Sequence, residues 1–253
     1  MDIKKEKEIS MEEERISNLI NIIPKGRHSV LDVGARDGKI SILLTAFFKN
    51  ITALDLQKPN ISDKNIISLQ GDVTHLEFPD DSFDTVICTE VLEHIPHNLL
   101  RKACDEISRV VKYDIVISVP YKQDIRVGRT TCLSCGKKNP PWGHVNVFDE
   151  NYLNELFQGL ICKQISFVGE NKSKTNFVAT LLMDLAGNSY GTYNQKERCI
   201  YCQEKLQQPS VSTLSQKIYT KLALYLNSIQ GYFISPEPIW IYVVYSKRKF
   251  SDE

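Results

Sequence analysis

Read from the amino end, apolar side chains first recur at Ile16, Leu19, Ile20 and Ile23, the spacing of one helical face, and Pro24 stops the run. Ser10-Met11-Glu12-Glu13 has the form of a capping box, so the sequence predicts an amphipathic helix over about 11 to 23. Short β-rich runs then alternate with helical patterns. Strands are expected at Ser29 to Val33, Ile51 to Asp55, Ile66 to Gln70, Thr85 to Thr89 and Asp114 to Val119, and helices at Lys39 to Phe48 and Leu99 to Val111. This alternation predicts an α/β fold with a parallel sheet flanked by helices. Asp149 to Phe157 reads as a helix and Ile161 to Gly169 as a strand, but the last strand, Pro238 to Ser246, follows only after a long interruption. Helical patterns at Phe177 to Leu185 and Ser212 to about Ile229 lie inside it, so it is expected to be an insertion with its own structure.

Val30-Leu31-Asp32-Val33-Gly34-Ala35-Arg36-Asp37-Gly38 places an apolar strand directly before a two-glycine turn and a helix. Such a turn lets the backbone approach a ligand closely at the carboxyl edge of the sheet. The second strand ends in Asp55, whose carboxylate can accept both hydroxyls of a ribose. The third ends in Gly71-Asp72-Val73, where Asp72 can accept from an adenine amino group.

These residues, with Phe83-Asp84-Thr85-Val86-Ile87, resemble the class I S-adenosylmethionine-dependent methyltransferases over roughly residues 28 to 170 and the final strand. The resemblance implies a Rossmann-like, seven-stranded, mostly parallel sheet with an antiparallel last strand, and methyl transfer by direct displacement. It also implies that Gly34, Ala35 and Gly38 approach the amino-acid moiety of the cofactor, Asp55 with Leu56 the ribose and adenine, and Asp72 with Val73 the adenine. Glu90 would border the cofactor too. The family's G-x-G-x-G departs here to Gly34-x-Arg36-x-Gly38. A nicotinamide-binding Rossmann domain shares the glycine turn and the acid, but the missing G-x-G-x-x-G and the later Gly71-Asp72 favour the methyl donor. The expected organisation is a helix or cap over 1–27, a methyltransferase core over 28–170 and 238–250, and an insertion or lid over 171–237.

Glu90-Val91-Leu92-Glu93-His94 follows the fourth strand, and its i, i+3, i+4 spacing groups two carboxylates and an imidazole. Such donors suit Mg²⁺ or Mn²⁺, and His144, after the fifth strand, is a fourth candidate. The pattern resembles that of the metal-assisted O-methyltransferases, namely the ubiquinone-biosynthesis enzymes and the small-RNA terminal 2′-O-methyltransferases. In them an ion held by residues matching Glu90, Glu93, His94 and His144 binds hydroxyls of the acceptor and lowers their pKa. Leu92-Glu93-His94-Ile95 is equally compatible with a metal-free pocket in which His144 is a general base or binds the acceptor, and with purely structural roles.

Seven cysteines include two C-x-x-C pairs, Cys132/Cys135 and Cys199/Cys202, whose four thiolates would satisfy tetrahedral Zn²⁺. A structural zinc clipping two excursions of the chain together is the expected role. A redox pair and a grip on nucleic acid, using Lys137, Lys138, Lys196 and Arg198, are the competing ones. Cys88, Cys104 and Cys162 are expected in the core. Tyr190, Tyr193, Tyr201, Tyr219, Tyr225, Tyr232 and Phe233 are aromatic enough to line a lid, yet Ile218, Leu222, Tyr225 and Ile229 recur at helical spacing, which reads as a packing stripe.

Composition narrows the function. Of 253 residues, 42% are hydrophobic, and 31 basic residues balance 31 acidic ones, so no global positive field recruits nucleic acid or anionic lipid. Neither a secretory signal nor the ~18 uninterrupted apolar residues of a membrane span is visible, and a cytoplasmic protein is expected. The favoured reading is O-methylation of a small polyhydroxylated acceptor, such as a sugar, quinol or natural product. An RNA ribose 2′-O-methyltransferase and a non-catalytic, zinc-stabilised cofactor-binding protein are the alternatives.

Overall fold

The computed structural model describes residues 3–209 and 213–247, with side chains from residue 11 onward. They divide into two compact units. One is built from the chain up to Tyr121, Phe148–Gly169 and the chain from Pro238 onward; the other from Lys122–Val147 and Glu170–Glu237.

The first unit opens with α1 (Ile3–Ile22). This helix begins earlier than the Ser10 capping box implies, because the Lys- and Glu-rich residues ahead of it are good helix formers. Then come β1 (Ser29–Val33), α2 (Lys39–Leu44), β2 (Asn50–Asp55), β3 (Ile66–Gln70) and β4 (Phe83–Thr89). α2 stops four residues short of the expected Phe48, in a chain of turns. A short 3₁₀ turn, Leu92–His94, leads to α3 (His97–Val110) and β5 (Val111–Pro120).

In the second unit, the chain beyond β5 makes the small hairpin β6 (Thr130–Thr131) and β7 (Lys138–Asn139), which the sequence did not signal. The first unit resumes with α4 (Glu150–Leu156) and β8 (Ile161–Asn171). The insertion carries α5 (Phe177–Leu185) and α6 (Leu214–Gly231), and β9 (Glu237–Ser246) returns to the sheet.

The seven-stranded sheet has the order β3-β2-β1-β4-β5-β9-β8. β1 pairs in parallel with both β2 and β4, and β9 runs antiparallel to β5, from Asp114↔Ser246 to Pro120↔Trp240. From β1 the chain builds outward through β2 to β3, then jumps back so that β4 lies on the other side of β1. The carboxyl ends of β1 and β4 therefore flank the point where strand order reverses, which is where open α/β sheets bind ligands.

Alternation along the strands fills two cores. Leu31, Val33, Val86, Ile115 and Tyr245 pack with Leu100, Ala103, Cys104 and Ile107 of α3 on one face. On the other, Val30, Ile51, Ile87, Val116 and Val244 pack with Leu19 and Ile22 of α1 and Leu44 of α2. Each large aliphatic side chain buried in this way contributes about 1.5–3 kcal/mol. Cys88 and Cys104 lie in the core as expected, but Cys162 is exposed because it begins an edge strand that faces solvent. Among the described residues no helix is long and apolar enough to cross a membrane.

One ion pair fastens the segment just before β1 to β5, two strands away. Arg27 donates from Nε to Asp114 Oδ2 at 2.7 Å and stacks on Tyr113 at 4.2 Å, while the Ser246 hydroxyl donates to Asp114 Oδ1 at 2.6 Å. Asp114→Ala leaves Arg27 without its largely buried partner. The variant should lose about 2–4 kcal/mol of stability in chemical denaturation, and a loss below 0.5 kcal/mol would show the pair to be dispensable.

Candidate functional site

The strand-end turn of the first unit is held by its backbone. The N–H groups of Gly34 and Ala35 both donate to the Leu54 carbonyl, at 2.8 and 3.1 Å, which ties the end of β1 to the end of β2. Gly34 has φ +80°, and a Cβ there would run into Val91 Cγ2, so only glycine fits. Gly38 shares that left-handed conformation, and a Cβ on it would meet Ile61 at 2.5 Å. Arg36, standing where a glycine is usual in such turns, also adopts positive φ, at 46°. The turn keeps its path with an L side chain in a conformation that costs roughly 1–2 kcal/mol.

Carboxylates surround this turn. Asp55 Oδ2 accepts the Arg36 N–H at 2.9 Å, and Asp72 Oδ1 accepts that of Thr74 at 2.8 Å. Leu56 is exposed beside Asp55, whereas Val73 and Ala35 are buried. Asp32 is buried beneath the turn and accepts the Ser41 hydroxyl. Burial pushes its carboxyl up to about 6, with the Asp55 charge adding to the shift and the Ser41 bond opposing it.

Glu90, just past β4, has φ 57°, and its carboxylate is already engaged. Arg15 of α1 approaches Oε1 at 3.2 Å, Trp240 Nε1 of β9 donates to Oε2 at 3.2 Å, and the Arg15 guanidinium lies over the Trp240 ring at 4.4 Å. The expectation that Glu90 ligates Mg²⁺ or Mn²⁺ is not supported, because a guanidinium already supplies its positive charge. Sequence reading missed Arg15 and Trp240, which come from opposite ends of the chain and carry no local motif. Glu93 is fully buried and neither carboxyl oxygen has a hydrogen-bond partner. Burial, and then the Glu90 charge, push its carboxyl well above the usual carboxylate range, favouring the neutral acid. A Glu93 oxygen and a ring nitrogen of His94 lie within 4.8 Å of one another. His144 belongs to the second unit, where it is buried with Nδ1 2.7 Å from Gln123 Oε1.

The second unit gathers Cys132, Cys135, Cys199 and Cys202, whose sulfurs all lie within 4.8 Å of one another. Cys132 and Cys202 are 3.7 Å apart and Cys135 and Cys199 3.6 Å, far beyond a disulfide and close to the ~3.8 Å edge of a tetrahedron with 2.3 Å metal–sulfur bonds. The two pairs are built alike. Gly136 N donates to Cys132 O and Cys132 N to Lys137 O; Gln203 N donates to Cys199 O and Cys199 N to Glu204 O, each at 2.9 Å. Gly136 and Gln203, each following the second cysteine, both have positive φ. These four thiols could hold one metal ion.

A glycine turn after the first strand, an acid after the second, and a strand reversal between them sit in a Rossmann-like methyltransferase fold, and residues 31–117 match the methyltransferase-domain family. The uncharacterized methyltransferase YcgJ of Bacillus subtilis is 30% identical over 100 residues, covering 36% of this chain and 39% of that protein. The uncharacterized methyltransferase Mb0092 of Mycobacterium bovis is 31% identical over 81 residues, covering 29% and 41%. The matched segment thus spans about two fifths of these relatives. The crystal structure of Bacillus YcgJ superposes with TM-score 0.55 at 16% identity over 94% of this chain and 99% of that one. An Archaeoglobus fulgidus S-adenosylmethionine-dependent methyltransferase does so with TM-score 0.54 at 17% identity, over 97% and 100%. At such identities the structures establish the shared fold alone.

Asp32 makes stability depend on pH with a definite sign. Its folded value of about 6 lies above the ordinary 3.8, so the folded chain binds this proton more tightly than the unfolded one. The contribution is fully present below pH 3.8 and is lost as pH rises through 6. Asp32→Asn should remove this slope, gaining about 2 kcal/mol relative to the parent between pH 4 and pH 7 in denaturant titrations. Parallel profiles for the two proteins would contradict the assignment.

Proposed function

We propose that the chain transfers a methyl group from S-adenosylmethionine to a hydroxyl of a small polyhydroxylated acceptor such as a sugar, quinol or natural product. The observation that carries the methyl-donor part is the turn itself, where Gly34 and Gly38 take positive φ at the strand-reversal point and Asp55 and Asp72 flank it. The donor set fits the cofactor: Gly34, Ala35 and Gly38 would lie along its amino-acid part, Asp55 and Leu56 along the ribose and adenine, and Asp72 with Val73 along the adenine. When bound, S-adenosylmethionine supplies a methyl on a positively charged sulfur, the electrophile that an acceptor oxygen attacks. Asp32 stays below the turn as a support.

The pair Glu93 and His94 motivates the hydroxyl acceptor. A hydroxyl is a weak nucleophile near neutral pH, and its proton needs somewhere to go as the new O–C bond forms. His94 would take that proton, and Glu93, buried and without a hydrogen-bond partner, would orient the acceptor. With Arg15 holding Glu90, turnover is not expected to need added Mg²⁺. In the other unit, the four cysteines would bind a structural Zn²⁺ and stay reduced in a compartment such as the cytoplasm.

The test is transfer of a labelled methyl group from S-adenosylmethionine into saccharide, lipid, small-molecule and RNA fractions, using protein whose zinc has been measured. One zinc per chain is expected, lost in Cys199→Ser, with label in a non-RNA fraction and about a 10²-fold lower kcat for His94→Ala. Label confined to RNA would point to ribose methylation instead. Cofactor binding with no label anywhere would make this a non-catalytic binding protein.

A further inference from the structure

In the second unit α5 and α6 pair as an antiparallel hairpin. At one end Thr175 Oγ1 donates to Asn227 Oδ1 at 3.0 Å and Asn176 Nδ2 to Gln230 Oε1 at 2.7 Å. At the other, a Cβ on Gly187 would lie 3.5 Å from the Gln216 amide. α6 starts with a complete capping box, Thr213 with Gln216, so its register is well fixed. The buried positions of the two helices are small or polar: Ala179, Thr220 and Ala223.

Most of the large apolar side chains are exposed instead. Leu214, Ile218, Leu222, Tyr225 and Ile229, spaced i, i+4, i+8, i+11 and i+15, form one exposed stripe along α6. The stripe expected to pack is therefore solvent-facing, since the fully buried positions are small or polar and Leu182, Met183, Tyr219 and Leu226 are the half-buried apolar ones. On α5, Phe177, Val178, Leu181 and Leu185 are likewise exposed, Phe177 at 76%. Just beyond α6, Tyr232 and Phe233 are exposed at 84% and 85%. A helix pair with small and polar residues between the helices and large apolar residues outside is inside-out for water but suited to apolar surroundings.

Charge identifies the covering surface. α6 carries Lys217 and Lys221, both exposed beside the stripe, and no acidic residue. The one acid of α5, Asp184, is neutralised by Lys138 at 2.6 Å and Arg129 at 3.2 Å. Lysines flanking an apolar stripe can lay their stems on acyl chains while their ammonium groups reach anionic headgroups. A twofold pairing of two copies through the stripe would instead bring these lysines together with no acid on either helix to answer them.

We propose that the α5/α6 hairpin is a docking face for an anionic lipid bilayer, lying in the headgroup and upper acyl region without crossing it. Vesicle flotation of the full, zinc-loaded chain tests this and does not depend on methyl transfer. Vesicles of phosphatidylcholine with about a third phosphatidylglycerol should carry the protein, less so at high salt. Pure phosphatidylcholine should carry much less. Lys217→Ala and Lys221→Ala should each reduce partitioning about fivefold, and Leu222→Glu with Phe233→Ser should abolish it while the melting temperature holds, since both side chains are exposed. Absence of flotation at any phosphatidylglycerol content would overturn the proposal. So would equal flotation of the variants, or a dimer in sedimentation that Leu222→Glu converts to monomer while no vesicle is bound.

Discussion

The first unit depends on the missing side chain at Gly34. Val91 fills the space a Cβ would need, and the freed backbone lets two successive N–H groups close on the Leu54 carbonyl. That closure draws together the ends of β1 and β2 and the segment after β4. Asp55, itself bonded to the Arg36 N–H, is placed by the same closure. Arg36 shows how strong the constraint is, since the turn holds a non-glycine residue at positive φ instead of opening.

Much of this was legible in the sequence because it is local. A strand pattern, a glycine and an acid at a strand end are read within a dozen residues; the parallel sheet followed from the alternation of elements, and its antiparallel last strand from the resemblance these residues carry. The surroundings of Glu90 were not legible. Arg15 and Trp240 lie at opposite ends of the chain, and only the docking of α1 and β9 on the sheet brings them to one carboxylate. The i, i+3, i+4 spacing of Glu90, Glu93 and His94 is visible in the sequence, but spacing does not reveal that one carboxylate is matched by a guanidinium and the other buried without a partner. The exposed stripe of α6 failed for a related reason: periodicity identifies an apolar face without saying what that face meets.

The second unit follows a different logic. Its apolar cluster is small, Cys132, Cys199 and Leu206 with Tyr193 and Cys202 against them, so little of its order comes from buried hydrophobic area. Two matching turns, each closed by N–H bonds around a C-x-x-C, bring four thiols within metal-binding distance of one another instead. Asn139 joins the pairs, accepting the Ile200 N–H at 2.9 Å and donating to Lys137 O at 3.1 Å.

Calorimetric titration of the chain with S-adenosylmethionine, and separately with NADH, tests the central claim most directly, since both cofactors use a glycine turn and a strand-end acid. The account predicts one S-adenosylmethionine bound per chain, no heat from NADH, and binding weakened at least tenfold in Asp55→Ala, the loss expected for a hydrogen bond to a charged group. Binding of NADH with no response to S-adenosylmethionine would contradict it.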